Sequence, residues 1–270
     1  MRLQWTQISD ASNPGSSPGT KVLEVSIFPY TLVEIEPIRI AMIVLQSDET
    51  IERDMIELRG DADLFFTRVP SGQEVNATTL QSMAEHITAS AKLLPQTLRF
   101  DAVGYGCTSG TAQIGVATIH KLVSQGTKAT HVTEPVSALI AACKHLRLKR
   151  LAFLSPYIES VSKNLRNVLA QNGIDSPKFG TFAEAEETKV VRISGQSVIE
   201  AAQDLCKSKD VDGIFLSCTN LRTLDLIEPL EASTSLPVIS SNLALAWHLG
   251  KLSGGSKAML GPGRLFSTQY

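Results

Sequence analysis

The stretch RIAMIVLQSDETIERDM, residues 39–55, decides the fold, because a similar stretch, RLAFLSPYIESVSKNLR, occupies residues 150–166. Each begins with a basic residue and a short apolar run, which predicts a buried strand, and continues into a polar segment of helical periodicity. A second pair, DAVGYGCTSG at 101–110 and DGIFLSCTNL at 212–221, follows at the same distance in both copies. The chain is therefore predicted to contain two similar halves.

Short apolar runs alternate with amphipathic stretches along the rest of the chain. This alternation is typical of an α/β fold with mostly parallel sheets. The apolar runs predict strands at 39–45, 64–69, 100–106, 129–134, 150–156, 211–217 and 236–240. Helical periodicity predicts helices at 75–94, 111–126, 135–148, 158–173 and 195–209.

Composition excludes several classes of protein. Hydrophobic residues make up 43% of the 270 residues, enough to bury a sizeable core. The formal net charge of −2 offers no electrostatic footprint for nucleic acid or an acidic membrane. No apolar stretch approaches the roughly 20 residues that a membrane-spanning helix needs. Four cysteines without a Cys-x-x-Cys pair suit neither a disulfide scaffold nor zinc, so we expect reduced thiols and a cytoplasmic protein.

The repeat also predicts how the chain is divided. Residues 1–36 lack an apolar signal core and contain two Pro-Gly steps, so we expect a mobile N-terminal extension. Residues 37–134 together with 241–270 are predicted to form the first α/β domain, and residues 135–240 the second. Each domain carries one cysteine of the repeated motif, and the active site is expected in the cleft between them.

The repeated cysteines, Cys107 and Cys218, stand where a predicted strand ends and a predicted helix begins. In open α/β sheets, ligands bind beyond the carboxyl ends of the strands. Amide N–H groups and the helix dipole favour a thiolate at that point, so a lowered thiol pKa is expected. Thr108, Ser109 and Thr219 add hydroxyl donors that suit a carboxylate. Two facing thiols can move a proton between the faces of one carbon, or act as nucleophile and acid.

Other residues with reactive side chains are interpreted as structural. Cys143 and Cys206 lie on apolar helix faces and are expected in the core. His120, His131 and His145 have no acidic neighbour at metal-ligand spacing. The glycines match neither a dinucleotide-binding fingerprint nor a Walker loop. We therefore expect neither a metal nor an organic cofactor.

The two repeated strand segments, the two cysteine motifs GYGCTSGT and FLSCTNLRTLD, and PVISSNLALAWH together resemble the aspartate/glutamate racemase superfamily. Within it the chain is most similar to the maleate cis-trans isomerase branch, which includes racemase-like proteins of ectoine utilisation and has arylmalonate decarboxylase as a cousin. The resemblance implies two Rossmann-like halves related by a pseudo-twofold axis, and cofactor-independent chemistry on small carboxylates in the cleft between them.

The resemblance also implies roles for individual residues. Cys107 and Cys218 correspond to paired catalytic thiols, which are expected to face each other across the cleft. Tyr157 matches a tyrosine that helps to bind a substrate carboxylate, and its hydroxyl is expected to point between the two sulfurs. The substrate-binding set predicted in this way is Tyr157, Ser47, Asp48, Thr108, Ser109, Thr219 and Asn220.

Two departures from the family pattern concern the substrate. Asp48 occupies the place of a substrate-binding asparagine. A second asparagine, expected before a predicted strand at 190–194, is replaced within a segment where Glu186 or Glu187 is nearest. Segment 184–188, EAEET, is otherwise interpreted as a solvated loop. Both changes disfavour maleate and suit an amino- or acylamino-carboxylate, because a carboxylate repels a second carboxylate and attracts an amine.

The sequence therefore predicts an isomerase: a cofactor-independent racemase or isomerase acting on a small carboxylate or amino-acid derivative with two cysteines. Alternatives are a maleate cis-trans isomerase proper, an arylmalonate-type decarboxylase and a non-catalytic binder of small carboxylates. A decarboxylase of this family keeps only the second cysteine, so Cys107 argues against that activity. A redox switch through a Cys107–Cys218 disulfide is a weaker hypothesis. Expected partners are a small-molecule substrate and further copies of the chain, without nucleic acid or membrane.

Overall fold

The computed structural model describes residues 26–32, 36–208, 210–254 and 257–268. Contacts between Cα atoms divide the chain into two units, Met1–Glu36 and Pro37–Tyr270. The described residues of the first unit belong to no helix or strand, and most of the predicted N-terminal extension lies outside the described residues. All elements named below belong to the second unit.

The described strands form two parallel sheets of four strands each. The first has the order β2-β1-β3-β4, with β1 at Arg39–Leu45, β2 at Asp63–Val69, β3 at Phe100–Gly106 and β4 at Ala129–Thr133. The second has the order β6-β5-β7-β8, with β5 at Arg150–Tyr157, β6 at Asp175–Glu184, β7 at Gly213–Leu216 and β8 at Val238–Ser240. The predicted α/β fold of two similar halves is confirmed.

Helices connect successive strands, as parallel pairing requires, and two more follow the last strand. They are α1 (Ile51–Glu57), α2 (Ala77–Ser82), α3 (Ala84–Ala91), α4 (Thr108–Ile114), α5 (Val116–Ser124), α6 (Pro135–Leu146), α7 (Glu159–Gln171), α8 (Glu187–Val190), α9 (Gly195–Cys206), α10 (Ile227–Thr234), α11 (Ser241–Leu252) and α12 (Gly263–Ser267). Among the described helices, none combines the length and the apolar character that a bilayer crossing requires.

The internal repeat of the sequence corresponds to equivalent hydrogen bonds and strand register in the two sheets. In the first sheet, the Asp101 carboxylate accepts a hydrogen bond from the backbone N–H of Arg39 at 2.8 Å. In the second, the Asp212 carboxylate accepts one from the N–H of Arg150 at 2.9 Å. Strand register repeats as well, because Ala41 pairs with Val103 in one sheet and Ala152 with Ile214 in the other. These are the residues that the sequence repeat aligns.

The central strands are buried on both faces, which explains why they read as continuous apolar runs. Each of β1, β3, β5 and β7 is buried along nearly its whole length. Phe153 of β5 and Phe215 of β7 pack edge to face in the second sheet, with ring centroids 5.1 Å apart. Burial of such side chains contributes about 2–3 kcal/mol each. This packing holds the carboxyl ends of the strands in place.

The second sheet contains an edge strand that the sequence did not predict. β6 alternates between half-buried and exposed residues and includes Pro177 and Gly180, so it lacks an apolar run. The predicted strand at 190–194 is wrong: these residues form the end of α8 and a turn, where Val190 and Val191 are buried. An apolar pair in a short helix produces the same local signal as a short strand.

Two predicted helices are each divided. The one at 111–126 is α4 and α5, separated at Gly115, whose φ of 94° lies in the left-handed region that favours glycine. The one at 75–94 is α2 and α3, separated at Met83. The remaining predicted helices agree with α6, α7 and α9 to within a few residues.

Helix α11 follows β8 of the second sheet and also packs against β3 and β4 of the first. Its first residues therefore lie where the two sheets meet. The domain boundaries predicted from the sequence remain a prediction. The contacts of α11 with both halves bring the carboxyl ends of the two sheets close together.

Candidate active site

Cys107 occupies the turn that joins β3 to α4. Its side chain is 5% exposed, and its sulfur accepts a hydrogen bond from the Gly110 N–H at 3.2 Å, as an N-cap residue does. The Cys107 carbonyl accepts a further hydrogen bond from the Thr111 hydroxyl at 2.6 Å. The turn is thus closed on itself, and it holds the sulfur beyond the carboxyl end of the first sheet.

Cys218 occupies the corresponding turn of the second sheet. It is 2% exposed, and its sulfur accepts a hydrogen bond from the Asn220 N–H at 3.3 Å. The prediction that a helix begins here is wrong, because the next helical residues are the 3₁₀ turn Leu224–Leu226. Cys218 has a φ of 110°, which a non-glycine residue adopts only at a cost in free energy. The surrounding contacts must therefore hold it.

Ser241, the first residue of α11, links the two cysteine turns. Its hydroxyl oxygen accepts hydrogen bonds from the Cys218 N–H at 3.0 Å and from the Thr108 hydroxyl at 2.8 Å. A second link runs directly between the halves, from the Thr219 hydroxyl to the Gly106 carbonyl at 3.4 Å. The two turns that carry the sulfurs are therefore adjacent and joined by hydrogen bonds.

Tyr157, at the end of β5, reaches Cys218. Its hydroxyl lies 3.0 Å from the Cys218 sulfur and donates to Glu187 Oε1 at 2.7 Å. The other carboxylate oxygen of Glu187 accepts from Asn220 Nδ2 at 2.7 Å. All four side chains are buried, and Glu187 is only 3% exposed. The interpretation of segment 184–188 as a solvated loop is therefore wrong at Glu187, while Glu186 is exposed to about half and pairs with Lys189.

Asp48 follows β1 and lies just before α1. Its Oδ1 accepts hydrogen bonds from the N–H groups of Thr50 and Ile51, both at 2.8 Å. Asp48 is 3% exposed, and its charge acts on both Cys107 and Cys218. This carboxylate and that of Glu187 therefore belong to the same buried cluster as the two thiols.

The other predicted binding residues have structural partners of their own. Ser47 is half-buried and its hydroxyl lies 3.1 Å from that of Ser71, in the loop after β2. Ser109 is buried, and its amide favours the charged form of Cys107. Asn220 accepts from the Glu49 N–H at 2.9 Å and so ties the second turn to the loop after β1. Their substrate-binding roles stay predictions.

Loss of water controls the electrostatics of the cluster. Burial raises the pKa of the Cys107 thiol to about 12 and that of Cys218 well above its usual value. The amides of Gly110 and Asn220 favour thiolates, but the charges of Glu187 and Asp48 oppose them. The expected lowering of the thiol pKa is therefore wrong, because burial raises the pKa of both thiols.

Two loops close over the cluster, one after β2 and one after β6. The Val75 N–H donates to the Ala185 carbonyl at 3.0 Å, and the Glu187 N–H donates to the Gln73 carbonyl at 3.2 Å. A cavity that reaches Glu187 has a volume of about 10 Å³, which holds about one water molecule. In this structure the two loops cover Glu187, which is 3% exposed.

Comparison with known proteins places this arrangement in a family. The family model described as arylmalonate decarboxylase matches residues 40–266. The chain belongs to this family. An arylmalonate decarboxylase from Bordetella bronchiseptica is 32% identical over 136 residues, which are 48% of this chain and 55% of that protein, so the match spans about half of the decarboxylase.

Relatives with another activity match this chain over more of their length. A maleate isomerase from Nocardia farcinica is 26% identical over 240 residues, 84% of this chain and 94% of that protein. A solved structure of the Nocardia farcinica maleate cis-trans isomerase, a cysteine-to-serine mutant with a covalently bound succinylcysteine intermediate, has a TM-score of 0.75. It is 22% identical and covers 86% of this chain and 99% of that chain. The predicted resemblance to this branch is confirmed.

Two residues of the site, Ser241 and Asn242, were not predicted from the sequence. Both are buried, and Asn242 Nδ2 donates to the Thr219 carbonyl and to Asp54 Oδ2, at 2.8 Å each. The available signal was a run of three polar residues, 240–242, which begins at the last residue of β8, at the end of a sheet where ligands bind.

The effect of burial on pKa can be tested at a group other than the thiols, the carboxyl group of Asp54 in α1. Burial raises its pKa from 3.8 to about 6, although Asn242 and Arg53 favour the charged form. The native state therefore holds this proton more tightly than the unfolded state, and the free energy of unfolding falls as the pH rises from about 4 to about 6. A shift of about two units corresponds to about 3 kcal/mol. Asp54→Asn is expected to flatten this decline in urea unfolding from pH 4 to pH 8.

Burial also raises the pKa of Asp48 and of Glu187, so these two groups contribute to the same decline in the free energy of unfolding. The difference in slope between Asp54→Asn and the wild type therefore measures the contribution of Asp54 alone. Asp61→Asn, at an exposed position near the same helix, serves as the control. Equal slopes in the wild type and Asp54→Asn would contradict the assignment.

Proposed function

We propose that the chain is a cofactor-independent racemase or isomerase that acts on the carbon next to a carboxylate, in a small carboxylate or amino-acid derivative. The observation that carries the proposal is the pair of buried thiols, Cys107 and Cys218, on equivalent turns of a duplicated fold. Both thiols are under the influence of the same two carboxylates, Glu187 and Asp48. Burial of these ionisable groups costs free energy that neutral apolar side chains in the same places would not cost, so structural packing alone does not explain the cluster. Groups with pKa values perturbed in this way are typical of sites that transfer protons.

A hydrogen-bonded chain offers Cys218 a route to lose its proton. The Cys218 sulfur, the Tyr157 hydroxyl and the Glu187 carboxylate are joined by contacts of 3.0 and 2.7 Å. The thiol proton passes to the Tyr157 oxygen while the Tyr157 proton passes to Glu187. One S–H and one O–H bond break, two O–H bonds form, and the negative charge moves from Glu187 to sulfur. The raised pKa of Glu187, caused by its burial, makes it a better acceptor.

The two thiols then act on opposite faces of the substrate carbon. The Cys218 thiolate removes the proton, and the electron pair of the C–H bond stays on the substrate as an enolate. Cys107 gives its S–H proton to the other face, which inverts the carbon and leaves Cys107 as the thiolate. Cys218 now carries the proton taken from the substrate, and the proton held by Glu187 passes through solvent to the Cys107 thiolate, which restores two neutral thiols and the Glu187 carboxylate.

A cis-trans isomerisation is the second candidate, and the relatives favour it. The Nocardia farcinica maleate isomerase matches this chain over 94% of its own length, and a solved structure of the Nocardia farcinica enzyme contains a covalent succinylcysteine. In that chemistry one sulfur adds to a double bond, the new single bond rotates, and elimination releases the trans product. Asp48 and Glu187 argue against maleate itself in this chain, because two carboxylates would face two more.

The test is deuterium exchange at the carbon next to the carboxylate. Protein dialysed against a chelator is incubated in D₂O with a panel of small carboxylates and amino-acid derivatives, and deuterium wash-in is followed by NMR. We expect wash-in, with inversion, for at least one chiral member of the panel without any added cofactor. Binding of panel members without exchange or isomerisation would instead support the non-catalytic carboxylate binder.

A further inference from the structure

A cavity of about 500 Å³ lies outside the thiol cluster, next to the chain segment that follows Cys218. Its walls are the first turn of α1, the start of α9 and residues 222–226. Neither thiol lines it, and neither Glu187 nor Asp48 does. Its volume is within the range of pockets that bind small molecules. The cavity is therefore a second candidate site, separate from the one described above.

Three arginines line this cavity: Arg53, Arg192 and Arg222. Arg53 pairs with Asp225 at 3.6 Å and Arg192 pairs with Glu49 at 3.9 Å, and the side chains of both pairs are between 46% and 75% exposed. Exposed ion pairs of this kind contribute little free energy, so both guanidinium groups can turn to a ligand. Arg222 is exposed and has neither an ion pair nor a side-chain hydrogen bond within the described ranges.

Two further features of the wall favour an anion. Helix α9, of 12 residues, begins here, and the N–H groups of Gly195 and Gln196 have no acceptor within the helix. The positive end of the helix dipole lies at the same place. Thr223, which also lines the cavity, is 1% exposed, and its hydroxyl has no hydrogen-bond partner among the described residues. A buried hydroxyl without a partner costs free energy that a ligand can restore.

We propose that this cavity binds a phosphate group, as the free ion or as the ester of a small molecule, and that the occupant stabilises the Cys218 turn. A guanidinium group donates two parallel hydrogen bonds to a phosphate, a geometry that other anions of lower charge match less well. The wall carries three arginines against two aspartates, and one of these, Asp225, is 75% exposed. The excess of positive charge suits a dianion.

Two connections lead from the cavity to Cys218. Arg222 lies four residues after Cys218 in the same segment. Asp54, in the cavity wall, accepts a hydrogen bond from Asn242 Nδ2, and the same amide donates to the Thr219 carbonyl directly after Cys218. The φ of 110° at Cys218 is costly and is held by such contacts. A ligand that ties Arg222 to α1 and α9 would therefore reduce local opening of this turn.

The test measures binding by isothermal titration calorimetry at constant ionic strength. The probes are inorganic phosphate, glycerol 3-phosphate and acetate, and the proteins are the wild type, Arg53→Gln, Arg222→Gln and the double variant. Arg99→Gln, at an exposed arginine that does not line the cavity, is the matched control. Binding of these probes needs neither a substrate nor a thiol, so the result is independent of the proposed function.

We expect at least one of the two phosphate probes to bind about 10-fold more tightly than acetate, and the tighter of the two identifies the free ion or the ester as the ligand. Each single variant should weaken its binding about 10-fold and the double variant about 10²-fold, while Arg99→Gln should have no effect. Equal affinity for acetate, or phosphate binding that the Arg53 and Arg222 variants leave unchanged, would overturn the site.

The effect on the turn has its own readout, the rate at which iodoacetamide alkylates Cys218, followed by mass spectrometry. With the tighter phosphate probe at saturation, this rate should fall about 10-fold in the wild type. The double variant should show no such change at the same probe concentration. An unchanged or higher rate in the wild type with the site filled would refute the effect on the Cys218 turn.

Discussion

Cys107→Ser and Cys218→Ser are each expected to abolish racemisation. A serine hydroxyl has a pKa far above that of a thiol, so it neither removes nor delivers the substrate proton at neutral pH. General acid and base groups typically contribute 10²–10⁴-fold to the rate, and racemisation requires both. Deuterium wash-in, measured separately for each enantiomer in the wild type and both variants, provides the readout.

The pattern of loss distinguishes the mechanisms. In a two-base racemase, each single variant can still exchange the proton of the one enantiomer that faces its remaining thiol. If one cysteine is a nucleophile, its variant loses all activity and the other loses only part. Cys206→Ser, at a half-buried cysteine of α9, is the control and should behave as the wild type. Full racemisation by either active-site variant would refute the two-thiol mechanism.

Tyr157→Phe and Glu187→Gln are expected to reduce exchange at the Cys218 face by about 10²-fold each, because each interrupts the route by which Cys218 loses its proton. Tyr157→Phe removes only the hydroxyl and keeps the ring of a residue that is 4% exposed. The double variant should be no slower than the slower single variant, since both changes break the same chain. Initial rates of wash-in for both enantiomers measure these effects.

A second measurement separates the proton route from simple damage to the site. The Glu187 charge raises the pKa of the Cys218 thiol, so its removal in Glu187→Gln should lower that pKa. Alkylation of Cys218 by iodoacetamide, followed over pH by mass spectrometry, should then reach half its maximal rate at a lower pH in Glu187→Gln than in the wild type. Slower exchange together with this shift supports the relay. Multiplicative losses in the double variant would show that Tyr157 and Glu187 act independently.

The resemblance also implies two differences in residue type between this chain and the maleate isomerases, and both are carboxylates. By the resemblance described in the sequence analysis, Asp48 and Glu187 are predicted to stand in or near positions where the maleate isomerase pattern has asparagine. An amide provides a donor for a substrate carboxylate, whereas a carboxylate accepts from a cation. The same scaffold of two cysteine turns can therefore serve different substrates through changes in the neighbouring loops.

Much of the fold could be predicted from sequence, because its signals are local and occur twice. The apolar runs of β1 and β5 and the segments that end at Cys107 and Cys218 are continuous in the chain. Their repetition with equal spacing implies two equivalent sheets without any knowledge of contacts. The edge strand β6 was missed for the opposite reason: only one side of it pairs, and Pro177 and Gly180 interrupt its hydrophobic pattern.

The candidate site could be predicted only in part. Cys107, Cys218 and Tyr157 follow strands, so sequence reasoning places them at the carboxyl edges of the sheets. Glu187 comes from a polar segment whose composition is typical of an exposed loop. Its burial depends on the Tyr157 hydroxyl and the Asn220 amide, which lie 30 and 33 residues away in sequence.

By itself, the sequence determined the α/β class, the duplication and the positions of two thiols at the ends of equivalent strands. Those properties follow from hydrophobic periodicity and chain order, which neighbouring residues establish. Only the tertiary structure decided that Ser241 joins the two turns, that Glu187 and Asp48 enter the thiol cluster, and that the thiol pKa values rise. These depend on desolvation and on long-range hydrogen bonds, which exist only after the two sheets pack and exclude water.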